Sequence, residues 1–509
     1  MKMEIISWVW TTGATLLAWY FLLNTLGRRI NEWYYDFKLG DKHRLLPPGD
    51  MGWPLLGKTL HYFKHPHLFV HNLVSKYGEI GMYKTHLFMK PTIVVSSLEA
   101  SRRVLTDDKN FRSSYPETAI TVVKTILSEV SSEDRKRFRR LVTSPILGYN
   151  ALAMFLERIE DIVVNSLQRM ANDSIQHPIE VITETKSLSM RVILHIFMGS
   201  KDQNIIKQVE HLFSDIDDAL FSWPINLPGF SYYKALKNRK KMEKIVGSFV
   251  QDRKMMLKNG EVLSEKKDLV DVLLELEDVN GRKLKDEDIV DLLILFLIAG
   301  QQTTASTIMW AMIYLTNNPL VFKKAKEEQE EIMKSRSPSQ QYISIEEIKK
   351  MVYLSKVVNE VLRVTDFSFL LFREATADVN INGYTIPKGW KAVILPKTCH
   401  MSSQYFTNPK NFDPSRWDDD NNNNNNNANR EAFIPFGAGT RMCAGRDLTK
   451  IEMLIFLHHF VLNYKFEQIN PECPVSYLPL PVPKDNCLAK VAKYFISLEI
   501  YDKIMEGFG

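Results

Sequence analysis

The chain has 509 residues, enough for one large hydrophobic core or two to three smaller domains. Hydrophobic residues make up 45% and charged residues 25%, an ordinary globular composition; 65 basic against 60 acidic side chains leave a net charge of +5, which gives no reason to expect a nucleic-acid partner. The four cysteines, Cys399, Cys443, Cys473 and Cys487, have neither CxxC spacing nor the density of a disulfide framework, which excludes a zinc cluster and a disulfide-stapled fold.

Ile5 to Leu26 is a run of twenty-two residues without a charge, long enough at about 1.5 Å per residue to cross a hydrocarbon core of roughly 30 Å. Trp8, Trp10, Trp19 and Tyr20 are ring types favoured at membrane interfaces, and Arg28 and Arg29 follow the run directly. The basic flank puts the rest of the chain on the cytosolic side. Residues 1–28 are therefore expected to be a single-pass anchor and 29–57 a basic, Pro-rich linker. The catalytic domain would occupy 58–509. On this topology the sequon Asn172-Asp173-Ser174 stays unmodified.

The linker ends in Leu45–Gly57, LLPPGDMGWPLLG, a stiff non-helical connector. Short β-like runs follow at Ile80–Tyr83 and Thr92–Val95. From about 98 to 335 the pattern is mostly helical, with polar interruptions near 172–178, 200–204, 223–232 and 257–267. Gly383–Gly389 reads as a turn between short strands, and the proline-rich last 35 residues as loops and short strands. Asp418–Asp420 and seven consecutive asparagines make 418–429 a low-complexity surface loop with no assigned function. The expected fold class is mainly α with small β-sheets.

Four groups of residues carry chemistry. Ile294–Thr316 is an apolar helix interrupted by Ala299-Gly300-Gln301-Gln302-Thr303-Thr304, where a glycine followed by hydroxyls can open the backbone ladder and leave a groove; alone, it reads equally as a core helix with a kink. Glu360 and Arg363 lie three apart on one helical face, an everyday surface pair when taken alone. Ser132–Leu141, SEDRKRFRRL, reads as a solvated basic face. Finally, Phe436-Gly437-Ala438-Gly439-Thr440-Arg441-Met442-Cys443-Ala444-Gly445 is a glycine-rich loop before a helix with apolar spacing at Leu448, Ile451, Leu454 and Ile455. A helix starting just past Cys443 would bring its positive end to a thiolate.

That last loop resembles the haem-binding signature of the cytochrome P450 superfamily, F-G-x-G-x-R-x-C-x-G, and the other segments match the family's marks in order. The resemblance implies a P450 fold behind the N-terminal transmembrane helix. It also implies haem b held by Cys443, with Phe436 and Gly437 in the haem loop and Arg139, Arg373 and Arg441 at the propionates. O2 and electrons from NADPH would be used, the latter through a membrane-bound NADPH–cytochrome P450 reductase at the endoplasmic reticulum. Glu360, Arg363 and Arg416 would form a structural triad, and Gly300, Gln302, Thr303 and Thr304 the catalytic distal groove. The family usually has Asp or Glu where this chain has Gln302, and Trp or His at Arg135.

Further segments, among them Asn470–Pro479, Asp485–Ala489 and Phe456–Phe460, resemble plant ent-kaurenoic acid oxidases and their triterpenoid-oxidising relatives. That resemblance implies a lipophilic, polycyclic terpenoid substrate. The group commonly carries AGHESS where this chain has AGQQTT, which favours specialised terpenoid oxidation over the gibberellin step. A haem-thiolate isomerase or dehydratase is the other alternative, motivated by Gln302. The resemblance places the pocket at Ile120, Phe296, Ala299, Phe367, Phe369, Leu370 and Leu478.

Overall fold

The computed structural model describes residues 2–124, 147–199, 203–260, 268–365, 370–418, 429–477 and 480–494, apart from residues 218, 221, 278–280 and 282. They form two compact units: Met1–Pro116 with Leu370–Cys399 and Gly437–Arg441, and Glu117–Phe369 with His400–Phe436 and Met442–Gly509.

The first unit is built on a six-stranded sheet, preceded by helix α1 (Lys2–Leu39) and completed by α2 (Leu98–Thr106). Its strands are β1 (Gly49–Asp50), β2 (Met82–Leu87), β3 (Lys90–Val95), β4 (Phe111–Ser113), β6 (Leu371–Ala375) and β9 (Lys391–Ile394), in the order β1-β2-β3-β9-β6-β4. Gly81 has φ +77° and ends the preceding loop, so β2 begins at Met82 rather than at the expected Ile80. Phe88 and Met89, both with positive φ, close the β2–β3 hairpin, and Leu87 pairs with Lys90. Asn382-Gly383 does the same between β7 (Val379–Ile381) and β8 (Tyr384–Ile386), so β8 lies within the segment Gly383–Gly389 that was expected to be a turn.

Residues 29–39 of the expected linker are helical: α1 is a single helix through Leu39, and its rear is bonded to the unit. The Asn31 amide donates to the carbonyls of Met51 at 2.9 Å and of Gly52 and Trp53 at 3.3 Å each. These interactions hold a helix where composition suggested a spacer.

The second unit is helical. Its described elements include α3 (Glu117–Val123), α4 (Leu156–Asp173), α5 (Val181–Met198), α6 (Ser231–Lys258), α7 (Asp286–Asn317), α8 (Val352–Val364) and α9 (Arg446–Asn463). Small sheets flank them: β10 (Tyr464–Gln468), β13 (Leu488–Lys493) and β5 (Ile179–Glu180) in one, β11 (Val475–Ser476) and β12 (Val482–Pro483) in another. The core gathers around α7, whose Leu293, Ile294, Leu297, Ala305, Ile308 and Met312 are buried. A helix apolar on nearly every side belongs inside a protein. Among the described residues α7 is the helix with the length and hydropathy of a membrane span, and most of it is buried within the chain.

Candidate active site

The loop before α9 is held at both ends. In the second unit the Cys443 N–H donates to the Phe436 carbonyl at 2.9 Å, which pins the two ends of the glycine-rich stretch together. In the first unit Thr440 Oγ1 and Arg441 Nη1 both donate to the Asp108 carboxylate, which follows α2. Gly439 has φ +74°, and a Cβ there would sit 2.8 Å from the Leu105 carbonyl oxygen. Gly439→Ala is therefore expected to cost about 1–3 kcal/mol, since both the backbone conformation and a rigid neighbour oppose it. Thermal unfolding of the holoprotein checks this; an unchanged midpoint would refute it.

Of the four cysteines Cys443 is the exposed one, and no disulfide joins any of them. Burial pushes the Cys399 thiol up to about 11 and the Cys487 thiol up to about 12, so both stay protonated and inert. Cys443 instead lies two residues before the Gly445 cap of α9, at the positive end of an 18-residue helix. The Arg446 guanidinium is nearby. It pairs with Asp447, which chiefly holds its pKa up, and the charge of Cys443 adds to that effect.

In the same unit, α7 presents an open face. Phe296, Ala299, Gly300 and Thr303 follow the i, i+3, i+4, i+7 spacing and remain partly or fully accessible in a helix otherwise buried. The expected interruption is absent: α7 is continuous through 299–304. Thr303 Oγ1 donates to the Ala299 carbonyl at 2.9 Å and Thr307 Oγ1 to the Thr303 carbonyl at 2.7 Å, back-bonding to the ladder rather than breaking it. Gly300 serves packing, because a Cβ there would lie 2.7 Å from Ile193 Cδ1 of α5. Thr304 is buried and pairs with Thr449 of α9 at 3.2 Å, tying α7 to the helix that follows Cys443. Gln302 is nearly buried, and its neighbour Gln301 donates to the Lys186 carbonyl at 3.4 Å.

The Glu360/Arg363/Arg416 set comes together in the second unit. Glu360 and Arg363 are fully buried on α8 and form a two-point pair, Nη2–Oε1 2.7 Å and Nε–Oε2 2.9 Å. Arg416 Nε reaches Glu360 Oε1 at 3.1 Å, Trp417 Nε1 donates to Oε2 at 3.1 Å, and the Asp413 N–H donates to Oε1 at 3.0 Å. Arg363 spends its other donors on the carbonyls of His400, Pro409 and Asn411.

Arg373 is buried on β6, where Nη1 donates to its neighbour's carbonyl, Phe372 O, at 2.9 Å. Ile120 is exposed on α3, a short helix pinned by Thr118 Oγ1 to the Leu220 carbonyl and by Arg239 Nε to the Val122 carbonyl, each at 3.0 Å. Phe296 packs against Phe197, ring centroids 5.6 Å apart, and Leu370 is buried. Arg139 and Arg135, Phe367, Phe369 and Leu478 lie outside the described residues, as does most of the asparagine-rich stretch.

Sequence reasoning missed three residues. Asp108 has no local signal, since its partners are more than 330 positions away. Thr449 could have been suspected from its place in the first turn of α9. The third, Glu452, is buried on α9 and accepts from Ser189 Oγ of α5 at 2.8 Å. Burial pushes its carboxyl from 4.5 up to about 7, and the Ser189 hydrogen bond only partly opposes this. The folded state thus binds this proton more tightly than the unfolded chain. Its contribution is fully present below pH 4.5 and is lost as pH rises through about 7, a swing on the order of 3 kcal/mol. Glu452→Gln is expected to flatten the fall in thermal midpoint across that window, and an unchanged pH slope would contradict it.

The site fits a thiolate-held haem: a single exposed thiol at a positive helix end, a loop whose Gly439 has no room for a side chain, and an accessible face on a buried helix. The comparisons agree. The cytochrome P450 family model matches residues 47–486. The chain is 52% identical to beta-amyrin 11-oxidase of Glycyrrhiza uralensis, covering 96% of this chain and 99% of that protein. It is 40% identical to ent-kaurenoic acid oxidase 1 of Arabidopsis thaliana, over 96% and 99%. The solved structure of retinoic acid-bound cyanobacterial CYP120A1 superposes with a TM-score of 0.78 at 25% identity, covering 88% of this chain and 99% of that one.

Proposed function

Because the chain belongs to the cytochrome P450 family, and is thus a haem monooxygenase using O2 and NADPH-derived electrons through a reductase, we propose that it oxidises a polycyclic triterpenoid in plant specialised metabolism. The observation that carries this reading is the greater identity with beta-amyrin 11-oxidase than with ent-kaurenoic acid oxidase 1. The apolar α7 face suits a hydrocarbon skeleton with few hydrogen-bonding groups. The uncharged Ile5–Leu26 run supports a single-pass anchor in the endoplasmic reticulum membrane, with the catalytic body on the cytosolic side.

In this reading Cys443 would hold the haem iron through its thiolate, which the start of α9 and Arg446 favour. Arg139, Arg373 and Arg441 are the propionate partners, with Asp108 holding the orientation of Arg441. Bound haem supplies oxygen activation and attack on an unactivated C–H bond. The residues of α7 position the substrate and exclude water, Phe296 and Ala299 by apolar contact. Gln302 carries an amide that has no proton to give at neutral pH. Thr303, whose own proton is directed at the Ala299 carbonyl, keeps its lone pairs to hold a water that brings the proton.

The test is expression in microsomes with NADPH–cytochrome P450 reductase, feeding beta-amyrin, related triterpenoids and ent-kaurenoic acid, with mass spectrometric readout. A triterpenoid product one oxygen heavier, dependent on NADPH, is expected. Conversion of ent-kaurenoic acid alone, or full turnover without NADPH, would overturn the reading.

A further inference from the structure

Along α7 the stripe that starts with Phe296, Ala299 and Thr303 runs on through Ser306 and Trp310, since at roughly 100° per residue all of them stay within about 60° of Thr303. Its exposure changes midway. Phe296, Ala299 and Thr303 are accessible, whereas Ser306 is fully buried. The change falls where the β11–β12 hairpin lands. Ser306 Oγ donates to the Pro481 carbonyl at 3.1 Å, and Trp310 Nε1 donates to the same oxygen at 2.8 Å. Along the helix axis the two donor residues stand about 4 Å and about 10 Å past Thr303.

The hairpin needs such a hold. Val475 pairs with Pro483 and Ser476 with Val482, and the Lys484 N–H closes the mouth on the Pro474 carbonyl at 2.9 Å. A two-stranded ribbon of this kind is marginal on its own. Pro481 lacks an N–H, so its carbonyl is the backbone group by which it can be tied. The Trp310 donor is itself held: its ring lies 5.6 Å from Tyr314, which stacks on Phe412 at 4.9 Å with 6° between the ring planes. Between the two strands the chain carries Leu478, expected at the substrate.

We propose that Ser306 and Trp310 are positioning residues that hold the hairpin, through the Pro481 carbonyl, as the end wall of the open α7 face. The clamp thereby sets how long a molecule the site accepts. A hydrocarbon skeleton offers few groups for hydrogen bonding, so a wall of fixed position, rather than a polar contact, decides how far it slides along α7. The carbonyl oxygen has two lone pairs, and one donor is enough to satisfy it. Ser306→Ala and Trp310→Phe are therefore nearly silent alone, while the double variant frees the hairpin; the effects of the pair are far from additive. Phenylalanine keeps an aromatic ring beside Tyr314 and removes the N–H.

The proposal rests on the reading of the α7 face as the substrate site, and its test needs no terpenoid. The full-length, haem-loaded protein is titrated with 1-alkylimidazoles from ethyl to dodecyl, binding being read from the shift in haem absorption. Hydrogen exchange of the amides in 475–484 is measured in parallel. In the unaltered chain and in both single variants, affinity is expected to rise with chain length and stop rising at one common length. In the double variant that break moves to a longer chain, and the hairpin amides exchange several-fold faster while those of α9 do not change. A break at the same length, unchanged hairpin exchange, or single variants as strong as the double overturns the clamp. Failure to oxidise any triterpenoid sinks the substrate reading and leaves the clamp to these two measurements; triterpenoid turnover with an unmoved break keeps that reading and removes the clamp.

Discussion

Arg363→Ala is expected to cost about 3–5 kcal/mol, enough to prevent accumulation of the folded protein. The size follows from what would remain. Glu360 is fully buried, and its carboxylate is satisfied by a two-point guanidinium pair supplemented by Arg416, Trp417 and the Asp413 N–H. Removing Arg363 takes the two-point partner from that buried negative charge and leaves Arg416 as its remaining cation. It also leaves the carbonyls of His400, Pro409 and Asn411 without their donor, at about 1–3 kcal/mol for a buried group left unsatisfied. Arg363→Lys is expected to recover little, because a point charge cannot reproduce the planar fork that spans Glu360 and three carbonyls. Pulse proteolysis of both variants, with haem content measured in parallel, checks this; native-like protease resistance of the alanine variant would refute it.

Cys443→Ser carries the largest expected effect on function. Its product formation should fall below detection, and the long-wavelength absorption of the reduced carbon monoxide complex should vanish. The fold should survive, because the Cys443 side chain is exposed and the loop is held by its backbone N–H, which serine retains. Two measurements decide it: the carbon monoxide difference spectrum and thermal unfolding. A variant that kept the thiolate-type band would overturn the assignment of Cys443 as the ligand, while a collapsed thermal midpoint would show the thiol to be structural.

The parts of the site legible in the sequence are those whose partners are close along the chain. Cys443 and its glycines sit within ten residues, and Glu360 and Arg363 are one helical turn apart, so local pattern reveals them. Arg416 was reachable only through resemblance, because it lies more than fifty residues from the glutamate it meets. Asp108 was not reachable at all. The 299–304 segment shows the opposite error: a glycine beside two threonines reads as a break, yet each hydroxyl found a carbonyl or another hydroxyl and left the ladder whole.

By itself the sequence determined the family, the thiol proposed to bind the cofactor and the mainly helical class, because ligand loops and amphipathic periods are written in short stretches of chain. Tertiary structure decided which face of α7 stays accessible, that Thr304 belongs to packing against Thr449 and Thr303 to the open face, and that α1 continues as a docked helix where a linker was expected. Those outcomes depend on which distant groups satisfy a buried donor or cover an apolar side, and no local window of residues contains that information.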